Sequence, residues 1–460
     1  MSIINIALSG ALAAQASVTA SSQNTANLGT KGYTRQGVLL GAISGNGGRL
    51  SPGAGVEVSS LLRFSDSYKS QQMWRAASEL GAYSQTQPYM TQLERVMGDD
   101  ASSISNGIDN FFKALNAAGV DPTSTPLRQQ IVTSAGAMSQ SLNSINTVMN
   151  NQLLSVHQQR DAIIPQANTA LTNIAALNGK IASAGATGAS VSLLIDARDQ
   201  AIDGLASQMS LEVIDQPDGT RSVSLKTGQP LVIGNIAGTL SSALDATGNQ
   251  VLTLGFTTST FTIDNVTVGG QLGGLGDYER TTLLPLKASV HKLAEELATR
   301  INSALAGGLT MGTPPVAGGP LFVLDPAGSS NILATTPGYT AADLALSLTG
   351  APGDSTNLQN LIAIKSTQVS SIPLLGPTQI GDIDTQLVGE LAINSQKNKA
   401  MLATSGTVRD QAVSDWQSTS GVNKDEEAAN LMAFQQMFQA NMKVIAVAND
   451  MFDATLAMMR

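Results

Sequence analysis

Residues 423–460 read NKDEEAANLMAFQQMFQANMKVIAVANDMFDATLAMMR, and the organisation of the whole chain follows from this stretch. Its apolar residues return with three-and-four spacing, and a second set recurs every seven residues. The first series comprises Leu431, Phe434, Phe438, Ile445, Ala448 and Phe452, and the second comprises Met437, Val444, Met451 and Met458. A seam that repeats by seven over several turns is typical of a coiled coil. We therefore predict one long helix with a narrow apolar seam.

The start of this helix is marked by polar residues. Asn423 is a good N-cap, and Glu426 follows three residues later, as in a capping box. Asp425, Glu426 and Glu427 place negative charge at the positive end of the helix dipole. A helix over this span would be on the order of 50 Å long. Nothing nearby in the sequence covers its apolar side.

The other end of the chain is the natural candidate to cover that side. Residues 1–30 contain no Asp, Glu, Lys or Arg, and apolar or small residues recur at Ile4, Leu8, Ala11, Val18 and Ala26. Isolated helices are marginal without tertiary packing, so we expect the two terminal helices to pair. The predicted interface comprises Leu8, Leu12, Val18, Leu431, Phe434, Met437, Phe438, Val444, Ile445, Met451 and Phe452. Periodicity alone leaves open whether other subunits or an ordinary bundle within one domain complete the burial.

Both ends also resemble the signature segments of the bacterial flagellar rod/hook axial protein family. Residues 7–36, ALSGALAAQASVTASSQNTANLGTKGYTRQ, resemble the N-terminal signature, and residues 421–456, GVNKDEEAANLMAFQQMFQANMKVIAVANDMFDATL, resemble the C-terminal one. The ending is more similar to hook-associated members than to hook or rod proteins, because Phe434-Gln435-Gln436 stands where the latter usually carry an Ala-Gln-Arg-like triplet. Lys31 departs from the family, which usually has Pro there.

The resemblance implies a structural component of the flagellum that joins hook to filament and assembles by coupled folding of its terminal helices. It implies extracellular assembly after type III export without a cleaved signal peptide. The implied partners are further copies in a ring or helical layer, the hook protein, a second junction protein or the filament, and an export chaperone at the C-terminal region. The alternatives are a hook, distal-rod or second hook-associated protein and, less favoured, an exported enzyme on a flagellar scaffold.

Composition narrows the function further. The 460 residues include 34 acidic and 25 basic side chains, which argues against nucleic-acid binding because phosphate recognition needs clustered Lys and Arg. The chain has no cysteine, which excludes disulfides, thiolate metal sites and a cysteine nucleophile. No stretch approaches the length of a transmembrane span, and the N-terminus lacks the basic region of a signal peptide. We therefore expect no membrane insertion.

The interior of the chain predicts helices, then strands, then helices. A helix from about residue 65 is expected to kink or break at Pro88. A very long periodic segment starts near Thr125, with Pro126 at a first helical position, and Pro165 leaves open two helices or one kinked helix. From about residue 211 the pattern alternates, as in strands, with a hairpin turn at residues 217–219. One amphipathic helix, at about residues 284–305, interrupts the strands.

These patterns predict a mainly α protein with a β-rich inserted domain, in which long paired, coiled-coil-like helices from both termini form a rod. We divide it into three parts. Residues 1–36 with 421–460 form a terminal helical assembly domain, and residues 37–209 with 376–420 form an α-helical rod domain. Residues 210–375 form an inserted β-rich outer domain. The long helical segment after Pro122 argues against a hook or rod protein, since the resemblance implies that those are built more heavily from β domains.

The sequence offers no active site. His157 and His291 lie far apart on predicted helices and are interpreted as solvated or structural residues. Residues 269–276, GGQLGGLG, lack the Lys and Ser/Thr of a phosphate-binding loop and are interpreted as a flexible connector. Asp196, Asp199 and Asp203 share one helical face and are interpreted as a solvated face. We predict no catalytic, cofactor-binding or metal-binding residues, and no enzymatic activity.

Overall fold

The computed structural model describes residues 3–44, 53–99, 103–187, 189–246, 248–325 and 331–459. The chain starts with α1 (Ile3–Ala26) and a hairpin of β1 (Gln36–Ala42) and β2 (Val56–Arg63). Four helices follow, namely α2 (Ser67–Met97), α3 (Ile104–Ala118), α4 (Thr125–Ala186) and α5 (Ser192–Gln208). The last two helices are α9 (Ile383–Ser420) and α10 (Lys424–Met458). Arg460, the last residue of the predicted C-terminal helix, lies outside the described residues.

The middle of the chain holds short strands and three further helices. The strands are β3 (Leu211–Asp215), β4 (Arg221–Leu225), β5 (Pro230–Ile233), β6 (Ile236–Ala237), β7 (Thr239–Leu244), β8 (Gln250–Phe256), β9 (Ser259–Ile263), β10 (Phe322–Leu324), β11 (Leu333–Thr335), β12 (Gln368–Val369) and β13 (Thr378–Gln379). The helices are α6 (Gly270–Asp277), α7 (Leu284–Ala306) and α8 (Thr356–Ala363). A π-helical segment, Tyr278–Leu283, joins α6 to α7.

The strands form small antiparallel sheets. Strands β3 to β6 form one four-stranded sheet in chain order, and β7 to β9 form a three-stranded sheet. The predicted turn joins β3 to β4: Gly219 has a φ of +80°, and Asp218 accepts hydrogen bonds from the backbone and hydroxyl of Thr220. The helix predicted at about residues 284–305 is α7. The structure thus confirms a mainly helical protein with small β sheets.

α2 continues through Pro88, so the predicted break there is wrong. The residues on both sides of the proline are anchored in the core: Trp74 and Ala77 before it, Met90 and Leu93 after it. α2 packs against α9, α6 and α5. Burial on both sides outweighs the loss of one backbone hydrogen bond, because tertiary packing routinely overrides local propensity.

α4 is a single helix of 62 residues that continues through Pro165, with Pro126 in its first turn as predicted. Two series of residues spaced by seven along this helix are buried, namely Ile131, Met138, Ile145 and Gln152, and Leu142, Met149, Val156 and Ile163. The elements that pack on α4 include α3, α5, β7 and β11. Its seam is therefore covered by several short elements of the same chain.

Candidate assembly interface

α1 and α10 pack side by side in opposite directions and bring the two ends of the chain together. Ser21 of α1 contacts Glu427 at the start of α10, whereas Gly10 lies against Asn441, further along α10. The spacing of these two contacts fixes an antiparallel register. The β1–β2 hairpin also packs on α1, where the backbone N–H of Val56 donates to Ser9 Oγ at 3.1 Å. We call α1, the hairpin and α10 the terminal unit, and α2 to α9 the body.

The terminal pair is held together by small side chains. The buried residues of α1 are Ala7, Ala11, Ala13, Ala14, Ser17, Ser21 and Asn24. Over its 35 residues, the single buried residue that the structure describes on α10 is Glu427. Large apolar side chains of the pair therefore gain little burial from their own chain, and many of them stay in contact with solvent.

Four of the six residues in the first apolar series of α10 are partly buried, whereas the second series is exposed. Leu431, Phe434, Ile445 and Ala448 are half-buried beside α1, and Phe438 lies at the edge of this face with 36% of its surface exposed. Met437, Val444, Met451 and Met458 are exposed. On α1, Val18 is half-buried, whereas Leu8 and Leu12 point away from the pair, Leu12 being 56% exposed. The hairpin adds the exposed residues Leu39, Leu40, Val58, Leu61 and Leu62.

The end of α10 extends past the described start of α1. Because Gly10 meets Asn441, Ile3 lies opposite Ala448, seven residues further along α10. Every residue from 449 to 459 is exposed, including Met451, Phe452 (63% exposed) and Leu456. We call residues 449–459 the overhang, and its helical part, through Met458, spans about 15 Å at the usual helical rise.

α1 is long and apolar enough to cross a membrane, so the expectation that no stretch approaches a membrane span is wrong. Length and composition alone are weak evidence, because an apolar packing helix meets the same criteria. The polar residues of α1 make contacts within the protein: Ser17 donates to the Ala13 carbonyl, and Ser21 and Asn24 contact Glu427. These contacts favour a helix that packs against protein.

A buried group of polar residues joins α1 to α10 at the end nearest the body. Glu427, 2% exposed, accepts hydrogen bonds from Ser21 Oγ and Asn24 Nδ2, and its carboxylate lies 3.0 Å from Arg35 Nε. Asn24 Oδ1 accepts from the Tyr33 hydroxyl at 2.9 Å. We call Ser21, Asn24, Tyr33, Arg35 and Glu427 the terminal polar cluster. It combines residues from both signature segments of the chain.

The surroundings of Tyr33 in the cluster raise the pKa of its phenol. Burial, together with the smaller effect of the nearby carboxylates of Asp196 and Glu427, raises the pKa of the phenol to about 12. Tyr33 therefore stays protonated at neutral pH and donates its hydrogen bond to Asn24. Arg35 also pairs with the exposed Glu426 at 2.7 Å and stacks over the Phe64 ring at 5.0 Å.

Ion pairs attach the terminal unit to the body, and they correct the prediction of a solvated acidic face on α5. Arg63 at the end of β2 lies 2.8 Å from Asp196 and 3.0 Å from Asp199, and the backbone N–H of Thr34 donates to Asp196. Asp199 also pairs with Arg221 of β4, and Asp203 with Arg409 of α9. The carboxylates are largely buried because arginines distant in sequence neutralise them.

A cleft of about 480 Å³ lies at the joint between the terminal unit and the body. Its walls include the loop after α1, at residues 27–33, and the α9–α10 connection at Gly421 and Val422. Trp74 of α2 and Trp416 of α9 both line it, and they are the two tryptophans of the chain. The two elements that enter and leave the terminal unit therefore border the same space.

The remaining candidates from the sequence have structural roles. His157 is buried and lies 3.1 Å from Glu279, which also pairs with Arg160, and His291 is hydrogen-bonded to Asn146. The glycine-rich segment is not a flexible connector, because it forms α6, most of which is buried against α2 and α5. Among the described residues, no group of His, Cys, Asp or Glu could hold a metal ion.

Two protein-family models match this chain, one over much of the body and one at the C-terminal end. A family model described as "Flagellar hook-associated protein FlgK helical domain" matches residues 90–322, which are 233 of the 460 residues. A second model, "Flagellar basal body rod FlgEFG protein C-terminal", matches residues 414–458. The second match covers all of α10 and the end of α9.

Individual relatives match over nearly the full length. The chain is similar to flagellar hook-associated protein 1 of Escherichia coli (strain K12), with 26% identity over a 545-residue alignment that covers 99% of each chain. It is 22% identical to the protein of the same name from Bacillus subtilis (strain 168), over 96% of this chain and 95% of that one. The solved flagellar hook junction protein FlgK from Burkholderia pseudomallei is 28% identical, with a TM-score of 0.51 over 55% of this chain and 47% of that chain.

Proposed function

The chain belongs to the flagellar hook-associated protein FlgK family, and from this premise we propose that its paired terminal helices pack against those of neighbouring copies where hook joins filament. It is a structural component of the bacterial flagellum, and its function is that of a hook–filament junction protein. One observation carries the proposal about the terminal helices. Many of their large apolar side chains lie on the outside of the α1–α10 pair, where their own chain leaves them exposed.

The energetic argument starts from this exposed apolar surface. Contiguous exposed apolar patches on soluble proteins usually mark interaction sites. Burying one large apolar side chain contributes about 1.5–3 kcal/mol, so a few such residues offset much of the entropy lost on ordering a helix. Phe438, Met451 and Phe452 on α10, with Leu8 and Leu12 on α1, are the residues we assign to contacts between copies.

We propose that folding and assembly of the terminal unit are coupled. α10 buries one described residue of its 35 against the rest of the chain, so its packing is incomplete in a single copy. Neighbouring terminal pairs would supply the missing surface and form a rod with coiled-coil-like seams. Residues 1–36 with 421–460 would line this rod, residues 37–209 with 376–420 would surround it, and residues 210–375 would face outward.

The implied partners follow from the same placement. Copies would form a ring or helical layer, with the hook protein on one side and a second junction protein or the filament on the other. We also propose export through the type III apparatus without a cleaved signal peptide. The exposed apolar surface of α10 would need protection before export, which fits an export chaperone bound to the C-terminal region.

Deletion of the gene tests the position of the protein in the flagellum. Electron microscopy of the deletion strain should show hooks without filaments, and a blot of the culture medium should show flagellin lost from the cells. Expression of the intact chain from a plasmid should restore filaments and serves as the control. Normal filaments in the deletion strain would contradict the junction role.

A hook or rod protein is the second candidate, because residues 414–458 match the C-terminal model of the FlgEFG rod proteins. Against it, the FlgK helical-domain match covers 233 residues of the body, including all of α4. The same deletion separates the two candidates. A hook or rod protein would leave cells without hooks, whereas a junction protein leaves hooks in place.

A further inference from the structure

The apolar seam between α1 and α10 does not by itself determine how the two helices align. The α10 residues on the side toward α1 are apolar at positions spaced by seven, namely Leu431, Phe438 and Ile445, and Phe452 continues this series in the overhang. The facing residues of α1 are mostly Ala and Ser, which fit beside any of these side chains. A shift of one helix along the other by seven residues, about 10 Å, keeps apolar residues opposite small ones.

Such a shift would increase apolar burial if α1 moved toward the end of α10. In the observed register Ile3 lies opposite Ala448, and the overhang is uncovered. After a shift by seven residues, the first turn of α1 would lie beside Phe452 and would cover part of the overhang. Since burial of apolar surface is favourable, the seam alone favours the shifted alignment. Another interaction must oppose it.

The terminal polar cluster supplies that interaction. Glu427 Oε1 accepts from Asn24 Nδ2 at 3.2 Å and lies 3.0 Å from Arg35 Nε, while Oε2 accepts from Ser21. A shift by seven residues would place Ser21 beside Phe434 and would leave the Glu427 carboxylate without Ser21 and Asn24. A buried charge that loses its partners is strongly destabilising, and a single buried polar residue can fix the register of paired helices.

Asn24 is held as firmly as Glu427. Its amide nitrogen donates to the Gln36 carbonyl at 2.8 Å as well as to Glu427, and its amide oxygen accepts from Tyr33 and from the Gln36 backbone N–H at 3.0 Å. All four hydrogen-bonding positions of the amide are used. Asn24 therefore presents its donor to Glu427 in a fixed direction.

We propose that Glu427 is the residue that determines the register of the α1–α10 pair, and that it thereby keeps the overhang uncovered by its own α1. Glu427 acts as a positioning residue: it sets which part of α10 stays accessible to another molecule. The proposal concerns a single chain and does not depend on the junction role. The overhang is available because the cluster, at the opposite end of the pair, holds α1 in place.

Disulfide trapping tests the alignment directly, because the chain has no cysteine of its own. In the double variant Gly10→Cys with Asn441→Cys, the new side chains meet only in the observed register. A Cβ at position 10 would lie 2.8 Å from the Asn441 Cγ, which suits a disulfide. In the double variant Gly10→Cys with Ala448→Cys, they meet only after a shift by seven residues. Both pairs are made in the full-length purified chain and oxidised under the same conditions.

With Glu427 intact, the pair at 10 and 441 should cross-link and the pair at 10 and 448 should not. Adding Glu427→Ala should lower the ratio of the first product to the second by about tenfold or more, since loss of buried charge contacts changes such equilibria by this order. Glu427→Gln should restore most of the ratio, because its amide oxygen can replace Oε1 and accept from Asn24, while its amide NH2 can replace Oε2 and donate to the Ser21 hydroxyl oxygen. Simple loosening of the helices would lower both products together and would not change the ratio.

Glu426→Ala is the matched control, since Glu426 also pairs with Arg35 but its side chain is 55% exposed. It should leave the ratio within about twofold of the parent, as expected for an exposed ion pair. Circular dichroism of each variant checks that the helices are retained. An unchanged ratio in Glu427→Ala, or equal cross-linking of both pairs in the parent chain, would overturn the proposal.

Discussion

Gly274 of α6 lies so close to Ala82 of α2 that a Cβ at position 274 would be 2.4 Å from the Ala82 carbonyl oxygen and 2.7 Å from its Cα. These are backbone atoms, which cannot turn aside as a side chain can. The absence of a side chain at Gly274 is thus what allows the two helices to touch. A glycine-rich segment can be rigid where its glycines allow close packing of backbones.

Gly274→Ala should destabilise the body by about 1–3 kcal/mol, because the added methyl group forces α6 and α2 apart. Urea denaturation followed by circular dichroism measures this as a lower midpoint. Gly136→Ala is the control, since Gly136 lies within α4 and a Cβ there would meet nothing within 4 Å. That change should stabilise by roughly 0.5–1 kcal/mol, as for Gly→Ala in a helix interior. Equal midpoints for the two variants would argue against the close contact.

Removal of the Glu279 carboxylate should be strongly destabilising. Arg160 on α4 is fully buried and pairs with Glu279, which His157 also contacts. Glu279→Ala leaves the Arg160 charge uncompensated, at a cost of about 3–5 kcal/mol. Urea denaturation followed by circular dichroism measures this loss of stability. Glu295→Ala, which removes an exposed partner of Lys292, should change stability by less than about 1 kcal/mol.

Acid should weaken the ion pair between Glu279 and Arg160. Burial raises the pKa of Glu279, but the hydrogen bond from His157 and the charge of Arg160 outweigh it, so the net pKa lies below the ordinary value of 4.5. A depressed pKa contributes stability above pH 4.5, and this contribution is lost as the pH falls through the lower folded-state value. In Glu279→Ala the contribution should be absent over this window.

Tyr33 should make the terminal unit sensitive to alkali. Its pKa is raised from 10.0 to about 12, chiefly by burial, so its contribution to stability is complete below pH 10 and is lost as the pH rises through about 12. The ultraviolet absorbance of tyrosinate, measured as parent minus Tyr33→Phe, should show one phenol titrating near 12. Tyr68→Phe, at an exposed position on α2, is the control and should leave this late-titrating phenol in place. A difference titration centred near 10 would contradict the burial of Tyr33.

Phe438→Asp should weaken assembly without unfolding the body. Phe438 lies on α10 at the edge of the face toward α1, and a carboxylate there would oppose burial between copies. Cells with this variant should lose filaments and release flagellin. The free energy of unfolding of the purified full-length variant, measured by urea denaturation, should stay within about 0.5 kcal/mol of the parent, as for surface changes. Gln436→Asp, an exposed change to the same residue, is the control and should keep filaments. Normal incorporation of Phe438→Asp would contradict the assignment of this surface.

Local features of the sequence predicted local structure well. The Asn423 cap forms as expected, with its side chain accepting from the backbone N–H groups of Asp425 and Glu426. The turn between β3 and β4 and the helix α7 also lie where the pattern placed them. The pairing of the two ends could be inferred because each lacked a partner nearby. The assignment of individual α10 residues to contacts between copies stays a prediction.

The sequence could not indicate interactions between residues far apart in the chain. Glu427 was interpreted only as a charge at a helix start, because its partner Ser21 is 406 residues away. The acidic residues of α5 were misinterpreted as solvated, since Arg63 and Arg221, which neutralise them, come from separate strands. The glycines of α6 indicated flexibility because the backbone of α2, which they contact, becomes visible only in the fold.

The position of both tryptophans in one cleft gives the protein an optical property. Trp74 and Trp416 line the space at the joint between the terminal unit and the body, so tryptophan emission comes entirely from that joint. Excitation selective for indole would therefore follow the joint in the unmodified chain, without a dye. A wavelength shift during polymerisation would reveal bending there, and time-resolved intensity would give its rate.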